Sequence, residues 1–266
     1  MSKQTLSTAD QLVVGRAYDA RLFAAQGFKG VEVHLPTKIS LGAPALAVVD
    51  LLIDAATTTE LPNANTKTYT AATQGTGPQD KSGSPAAVTI VTATGASVKA
   101  IPLDVPRNIV ATAAKSGTTI AMTVLVSGYD QYGYAMSELL DLPATATTIT
   151  ATGKKAFKWI ASMAVTSAAD ATGAGLTLDV GPGSLIGLPF ALGAKSDVLA
   201  VYFDDAAANT PVVAKAVKTS PATNVTGDVR GTIGSSDTFN GEKLLEAWVR
   251  VADYSTRAGL LGVSQA

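Results

Sequence analysis

The feature that most constrains the fold of this chain is the regular spacing of its turn residues. From residue 86 onward, short apolar and β-branched runs are separated by Gly, Pro, Asp or Asn at intervals of about ten residues. This spacing is typical of sandwiches and jelly rolls and not of βαβ units. We therefore predict an all-β fold, an antiparallel β-sandwich or jelly-roll-like domain, with an N-terminal arm or small subdomain. The predicted strands are residues 87–93, 97–103, 108–113, 119–127, 134–140, 147–151, 157–165, 176–180, 198–203, 212–217 and 244–251.

The first third of the chain has a less regular pattern. Residues 31–35 alternate at period two and end at Pro36, which predicts a strand, whereas residues 44–56 fit either a short helix or a buried strand. Residues 57–84 are rich in Thr, Asn, Gly, Gln and Pro, as in a loop or linker. We therefore divide the chain into residues 1–84, an N-terminal arm or subdomain with a polar linker, and residues 85–266, the β-sandwich domain.

Composition excludes several functional classes. Only 15% of the residues are charged and the net charge is −1, so we predict no direct nucleic-acid partner, because such proteins present a basic face to phosphates. The most apolar window, residues 41–56, is broken by Pro44 and carries two aspartates, which is too polar for a membrane span, and no secretory signal is expected at the start. The chain has no cysteine, which removes disulfides, thiolate metal sites and thiol nucleophiles.

Residues with the potential for chemistry are few and scattered. His34 is the only histidine and precedes a proline, and we interpret it as structural because no nucleophile pattern accompanies it. The adjacent pair Asp204-Asp205 follows a predicted strand and is typical of a turn or helix cap. Trp159 and Trp248 lie in predicted strands, where a core position is favoured over a sugar-binding platform.

Glycine-containing patterns are also interpreted as structural. Residues 75–83 lack the closing Gly-Lys-Ser/Thr of a phosphate-binding loop, because Lys81-Ser82 is not preceded by glycine, and Gly181-Pro182-Gly183 predicts a tight turn after a strand. Asn224-Val225-Thr226 matches a glycosylation acceptor, but nothing marks the chain as secreted. We therefore predict no catalytic, cofactor-binding or metal-binding residues, no cofactor, and no enzymatic activity.

The most informative segment, residues 124–138, predicts a hairpin. Asp130 can bond the backbone two residues further on, and Gly133 can take the left-handed conformation, so the turn lies between them. Similar turns occur in immunoglobulin-like modules, and this segment alone therefore indicates only a β-sandwich.

Five segments, taken in order, resemble structural proteins of tailed bacteriophages, in particular the capsid decoration (cement) proteins. They cover about half of the chain, and their order and spacing carry the resemblance more than any one motif does. The segments are Asp104-Val105-Pro106-Arg107-Asn108, residues 128–138, Gly153-Lys154-Lys155-Ala156-Phe157-Lys158, Gly187-Leu188-Pro189-Phe190 and Gly227-Asp228-Val229-Arg230-Gly231-Thr232.

The resemblance implies a structural virion protein, made in the cytoplasm of a bacterial host. Such a protein would bind the outer surface of the major capsid protein shell, bridge neighbouring capsomers and stabilise the particle. A tail-tube, connector or fibre-base protein, or an immunoglobulin-like surface-binding module, is the alternative. The N-terminal residues 1–84 carry no resemblance, and we expect them to make inter-subunit or shell contacts.

Self-association is expected from the composition. A neutral surface rich in Ala, Thr and Val promotes association, and a closed oligomer hides it without leaving an open edge. The resemblance implies a homotrimer, because a shell lattice offers threefold sites between capsomers. We expect its subunits to bury well over about 1,000 Å² in total.

Overall fold

The computed structural model describes residues 36–54, 61, 62, 64–71, 86–169, 175–189, 197–207, 212–214 and 232–250. Strands account for 59% of these residues and none of them lies in a helix, so the prediction of an all-β, sandwich-like fold is confirmed. The described strands are β1 (Pro36–Ser40), β2 (Thr66–Thr70), β3 (Val88–Val91), β4 (Ser97–Ala114), β5 (Met122–Tyr129), β6 (Ala135–Leu142), β7 (Thr148–Thr152), β8 (Phe157–Ser167), β9 (Thr177–Gly187), β10 (Val198–Phe203), β11 (Ala206–Ala207), β12 (Val212–Ala214), β13 (Thr232–Gly234) and β14 (Leu245–Arg250).

The strands form two antiparallel sheets. The smaller sheet has the order β1-β14-β10-β11. The larger has the order β12-β13-β9-β4-β8-β5-β6, with β2 beside β8 and with β3 and β7 beside β4. Strands distant in sequence are neighbours in both sheets, so the fold depends on long-range pairing.

Alternation of side chains explains which face each strand buries. In β14, Leu245, Ala247 and Val249 are buried, whereas Trp248 and Arg250 between and beyond them are exposed. The strand β5 repeats this pattern along its whole length, with every second residue buried. This period of two is the one that a sheet with one buried face requires.

The buried residues form two clusters. The first core lies within the curled larger sheet and includes Ile109, Val124, Phe157 and Met163. The second core lies between the two sheets. Its members are Ile39, Leu41, Val105, Ile186, Leu188, Val201, Phe203, Ile233, Phe239, Leu245, Ala247 and Val249.

The prediction of two strands at residues 97–103 and 108–113 is wrong, because β4 runs through both. Its pairing with β8 is irregular between Pro102 and Arg107, and from Arg107 onward β4 also pairs with β9 on its other edge. Leu103 packs in the first core and Val105 in the second. This irregular stretch lets one strand serve both cores, and irregular pairing is where a sheet accommodates proline.

The prediction of a tight turn at Gly181-Pro182-Gly183 is also wrong. These residues lie inside β9, with Gly181 opposite Val110 and Pro182 opposite Ile109 of β4. Each glycine is there for close packing: a Cβ at Gly181 would lie 2.1 Å from the carbonyl oxygen of Val48, and one at Gly183 would lie 2.4 Å from Asn108 Oδ1. Glycine inside a strand often marks such an approach by another segment.

The segment that approaches Gly181 is the strap, which we define as residues 41–54. It is neither the predicted helix nor a strand, apart from a single bridge between Ile53 and Val180. The backbone N–H groups of Leu52 and Ile53 donate to the carbonyl oxygen of Val180, both at 2.9 Å. The strap therefore connects β1 of the smaller sheet to β9 of the larger one.

The predicted linker, residues 57–84, contains a strand. Residues 66–70 form β2, which pairs with β8 from Thr66↔Thr166 to Thr70↔Ser162, and Tyr69 is buried in the first core. The described residues 36–71 thus contribute β1 to one sheet and β2 to the other. The strand predicted at residues 31–35 and the proposed arm before it lie outside the described residues.

Candidate functional site

The residues first considered for chemistry do not converge in the described part of the chain. His34, residues 75–83 and the Asn224 acceptor pattern lie outside it. Within it, no group of three or more His, Cys, Asp or Glu side chains is placed to hold a metal ion. Asp204 and Asp205 form the turn between β10 and β11, with φ of 58° and 61°, as the turn prediction requires.

The hairpin predicted at residues 124–138 is confirmed. The Asp130 carboxylate accepts hydrogen bonds from the N–H groups of Tyr132, at 2.8 Å, and Tyr134, at 2.9 Å. Gly133 has a φ of 80°, and its carbonyl oxygen accepts from the N–H of Ala93. This turn is therefore held both by its own aspartate and by the neighbouring hairpin.

A half-buried glutamate joins this hairpin to the next segment. Glu138 accepts hydrogen bonds from the backbone N–H groups of Lys154, at 2.8 Å, and Lys155, at 3.2 Å. Lys155 is itself buried and donates from Nζ to the carbonyl oxygen of Ser137. Gly153 is required beside them, because a Cβ there would lie 2.5 Å from Glu138 Oε2.

Burial raises the pKa of Glu138 above its ordinary value of 4.5, while the N–H groups of Lys154 and Lys155 oppose the shift. Ionisation of Glu138 therefore opposes folding, so its contribution to stability is largest below pH 4.5 and falls as the pH rises through the raised pKa. In Glu138→Gln this titration is absent. We expect the unfolding free energy of the wild type minus that of the variant to decrease between about pH 4 and pH 7, measured by urea denaturation. A difference that rises with pH would contradict the buried position of the carboxylate.

The segment 104–108 fixes the strap. Arg107 is 1% exposed, and its Nη2 lies 3.1 Å from Asp104 Oδ2 and donates to the carbonyl oxygen of Ala45 at 2.9 Å. Asp104 Oδ2 also accepts from the N–H of Ala45 at 2.7 Å. Lys158 closes the arrangement by donating from Nζ to the carbonyl oxygens of Leu103 and Asp104.

Three further hydrogen bonds complete the connections around the segments singled out in the sequence. Asn108 is buried and donates from Nδ2 to the carbonyl oxygen of Gly153, while its Oδ1 accepts from the N–H of Leu185. The Tyr132 hydroxyl donates to the carbonyl oxygen of Pro189 at 3.1 Å. We call this set of contacts among residues 104–108, 128–138, 153–158 and 187–189 the junction.

Several junction residues are buried, among them Arg107, Asn108, Asp130 and Lys155, so the contacts of the junction hold the fold together. Of the fifth segment, residues 227–232, only Thr232 is described, at the start of β13. The sequence analysis groups these segments only by their order and spacing, and it does not predict the contacts between them.

The most prominent surface feature is the side of the smaller sheet that faces away from the second core. The expectation that both tryptophans lie in the core is wrong for Trp248, which is 37% exposed there, and Trp159 is half-buried beneath Lys158. We call this side the outer face. Its residues are Lys38, Leu199, Ala200, Tyr202, Glu246, Trp248 and Arg250.

A β-bulge shapes the centre of the outer face. The register between β10 and β14 shifts from Val198↔Val249 to Ala200↔Trp248, so Leu199 is the extra residue. Leu199 is 40% exposed as a result. Bulges re-aim side chains in this way, and here one adds an apolar residue beside the tryptophan.

Comparisons with known proteins found no relatives for this chain. No family model matches it, and neither a curated protein nor a solved structure does. Among the described residues, no helix is both long and apolar enough to cross a bilayer.

Proposed function

We propose that this chain is a structural virion protein that decorates a tailed-phage capsid. It binds the outer surface of the major capsid protein shell, bridges neighbouring capsomers and has no enzymatic activity. Many copies on a symmetric lattice need only modest affinity each, because every contact is repeated. In this role the chain acts as a homotrimer at the sites where three capsomers meet.

The observation that carries this proposal is the junction. Four of the five segments that resemble decoration proteins lie far apart in sequence and are joined by hydrogen bonds such as Tyr132 to Pro189 and Asn108 to Gly153. Segments that are far apart in sequence and joined in this way are expected to determine the architecture of a chain. The resemblance thus rests on residues that determine the architecture and not on scattered surface positions.

The proposal predicts a high copy number in virions. In purified particles of the phage that encodes this chain, we expect it in numbers comparable with the major capsid protein, measured by quantitative mass spectrometry of tail-free heads. The major capsid protein in the same sample provides the internal standard. A few tens of copies confined to the tail fraction would favour the tail or connector alternative, and absence from particles would overturn both.

Its stabilising role is tested on the same heads. Particles stripped of this chain are expected to release DNA at a lower temperature than decorated ones, because internal pressure loads the contacts between capsomers. Adding the purified chain should restore the higher temperature. Equal release temperatures in the presence and absence of the chain would contradict a stabilising role even if the chain is abundant.

A further inference from the structure

The outer face is unusual for the solvent side of a sheet that already buries its other face. Trp248 lies beside Ala200 in register, with the bulged Leu199 next to Ala200 and with Tyr202 two pairs further along β10. The solvent side of an antiparallel sheet is normally polar. An exposed apolar centre with a polar rim is typical of a protein–protein contact.

The charges of the outer face are arranged in two groups. Lys38 and Glu246 are paired with each other at 2.6 Å. Arg250, at the end of β14, and Asp205, at the opposite end of the face after β10, are both exposed, and neither has an ion-pair partner among the residues that the structure describes. β10 and β14 are antiparallel, with Val198 opposite Val249 and Phe203 opposite Leu245, so Asp205 and Arg250 lie at opposite ends along the strand direction.

This arrangement is complementary to itself. We propose that the outer face pairs with the outer face of a second copy of this chain about a twofold axis that reverses the strand direction. Arg250 of each chain then meets the partner's Asp205, and the apolar centres around Trp248 face one another. A twofold contact places the same patch on both sides, which is what opposite charges at opposite ends of one patch require.

A second copy is the occupant that the charges specify. Lys38 and Arg250 balance Glu246 and Asp205, so the face has no net charge to attract a strongly acidic or basic partner. The same four groups match each other when the face is rotated onto itself. The contact is separate from capsid binding and from a threefold association, and a chain that uses both self-contacts forms six-chain assemblies.

The test is a charge reversal in purified chain. Arg250→Asp leaves two acidic ends and Asp205→Arg leaves two basic ends, so each variant alone should self-associate at least about tenfold more weakly than wild type, because both ion pairs become repulsive. Mixing the two variants should restore pairing, since each acidic end then meets a basic one. Masses are measured by sedimentation equilibrium, relative to the chain mass of 26.9 kDa.

Position 205 has a φ of 61°, which aspartate and asparagine tolerate better than arginine. Asp205→Asn is therefore measured as well, and it should weaken association less than the reversal while keeping the turn intact. Circular dichroism checks that each variant is folded. Wild type should reach twice or six times the chain mass. Each single variant should shift toward half of that value, which is one or three times the chain mass.

Three results would overturn the proposal. They are a wild type that stays at one or three times the chain mass up to millimolar concentration, single variants that associate as strongly as wild type, and a mixture that remains as weak as its components. None of these results depends on whether the chain is found on capsids, so this contact and the proposed function fail independently.

Discussion

Replacing Arg107 with alanine is expected to lower the free energy of unfolding by about 2–4 kcal/mol, because it vacates buried volume and removes a donor to a backbone carbonyl oxygen. The guanidinium is 1% exposed and contacts both the Asp104 carboxylate and the carbonyl oxygen of Ala45. Without it, the Ala45 carbonyl loses a donor and the Asp104 carboxylate keeps its charge with no cation at 3.1 Å. The volume vacated by the side chain lowers stability further, because Arg107 is buried between its two neighbouring strands, β8 and β9.

The measurement is urea denaturation followed by tryptophan fluorescence. Lys99→Ala is the matched control, because Lys99 is an exposed cation on the same strand β4 and its removal should cost less than about 0.5 kcal/mol. Arg107→Met retains much of the volume, so its difference from Arg107→Ala separates packing from charge. If Arg107→Ala were no more destabilising than Lys99→Ala, the strap would not depend on this contact.

Burying the Arg107 guanidinium has a free-energy cost. Burial lowers the pKa of Arg107, while Asp104 acts in the opposite direction. Its Nε has no hydrogen-bond partner in the structure. A buried guanidinium contributes little net stability compared with apolar residues, even with the partly exposed Asp104 carboxylate beside it. We interpret the pair as a device that fixes where the strap lies.

The sequence predicted most of the strands because local alternation reports which face is buried. Residues 198–203 were predicted with the bounds that β10 has, and β14 differs from its prediction by one residue at each end. Sheet order was not predicted, since it depends on pairs such as β1 with β14 that lie some two hundred residues apart. The predicted break between residues 103 and 108 and the predicted turn at Gly181–Gly183 failed for a common reason: Pro and Gly punctuate turns, but they also mark irregular pairing and close backbone approaches inside strands.

The sequence itself indicates that Trp248 lies on the outer face. Trp248 and Arg250 alternate with Val249 and Val251, so the phase of the strand places the tryptophan on the same side as the arginine and away from the core. The prediction of a core position rests on the general preference of tryptophan for burial, and the alternation along β14 overrides that preference. The bulge at Leu199 and the burial of Glu138 had no comparable signal, because both result from pairing between distant segments.

Gly181→Ala is expected to destabilise the chain by about 3 kcal/mol or more, beyond the usual cost of overpacking, because the clash is with backbone that cannot rotate away. A Cβ there would lie 2.1 Å from the carbonyl oxygen of Val48 and 2.6 Å from the carbonyl carbon of Val49. The strap would have to move outward. That movement would break the hydrogen bonds from Leu52 and Ile53 to Val180.

The matched control is Gly117→Ala. Gly117 has a φ of 98° with nothing within 4 Å of the added Cβ, so this substitution costs only backbone strain, about 1–2 kcal/mol. Hydrogen exchange distinguishes the two mechanisms, because the amides of Leu52 and Ile53 should lose protection in Gly181→Ala and keep it in Gly117→Ala. Equal destabilisation with protected strap amides in both variants would mean that the strap is not tightly packed on β9.

If the strap detaches as expected, the two sheets lose the connection that also carries the Arg107 contact. The effects of Gly181→Ala and Arg107→Ala on the free energy of unfolding should therefore be less than additive.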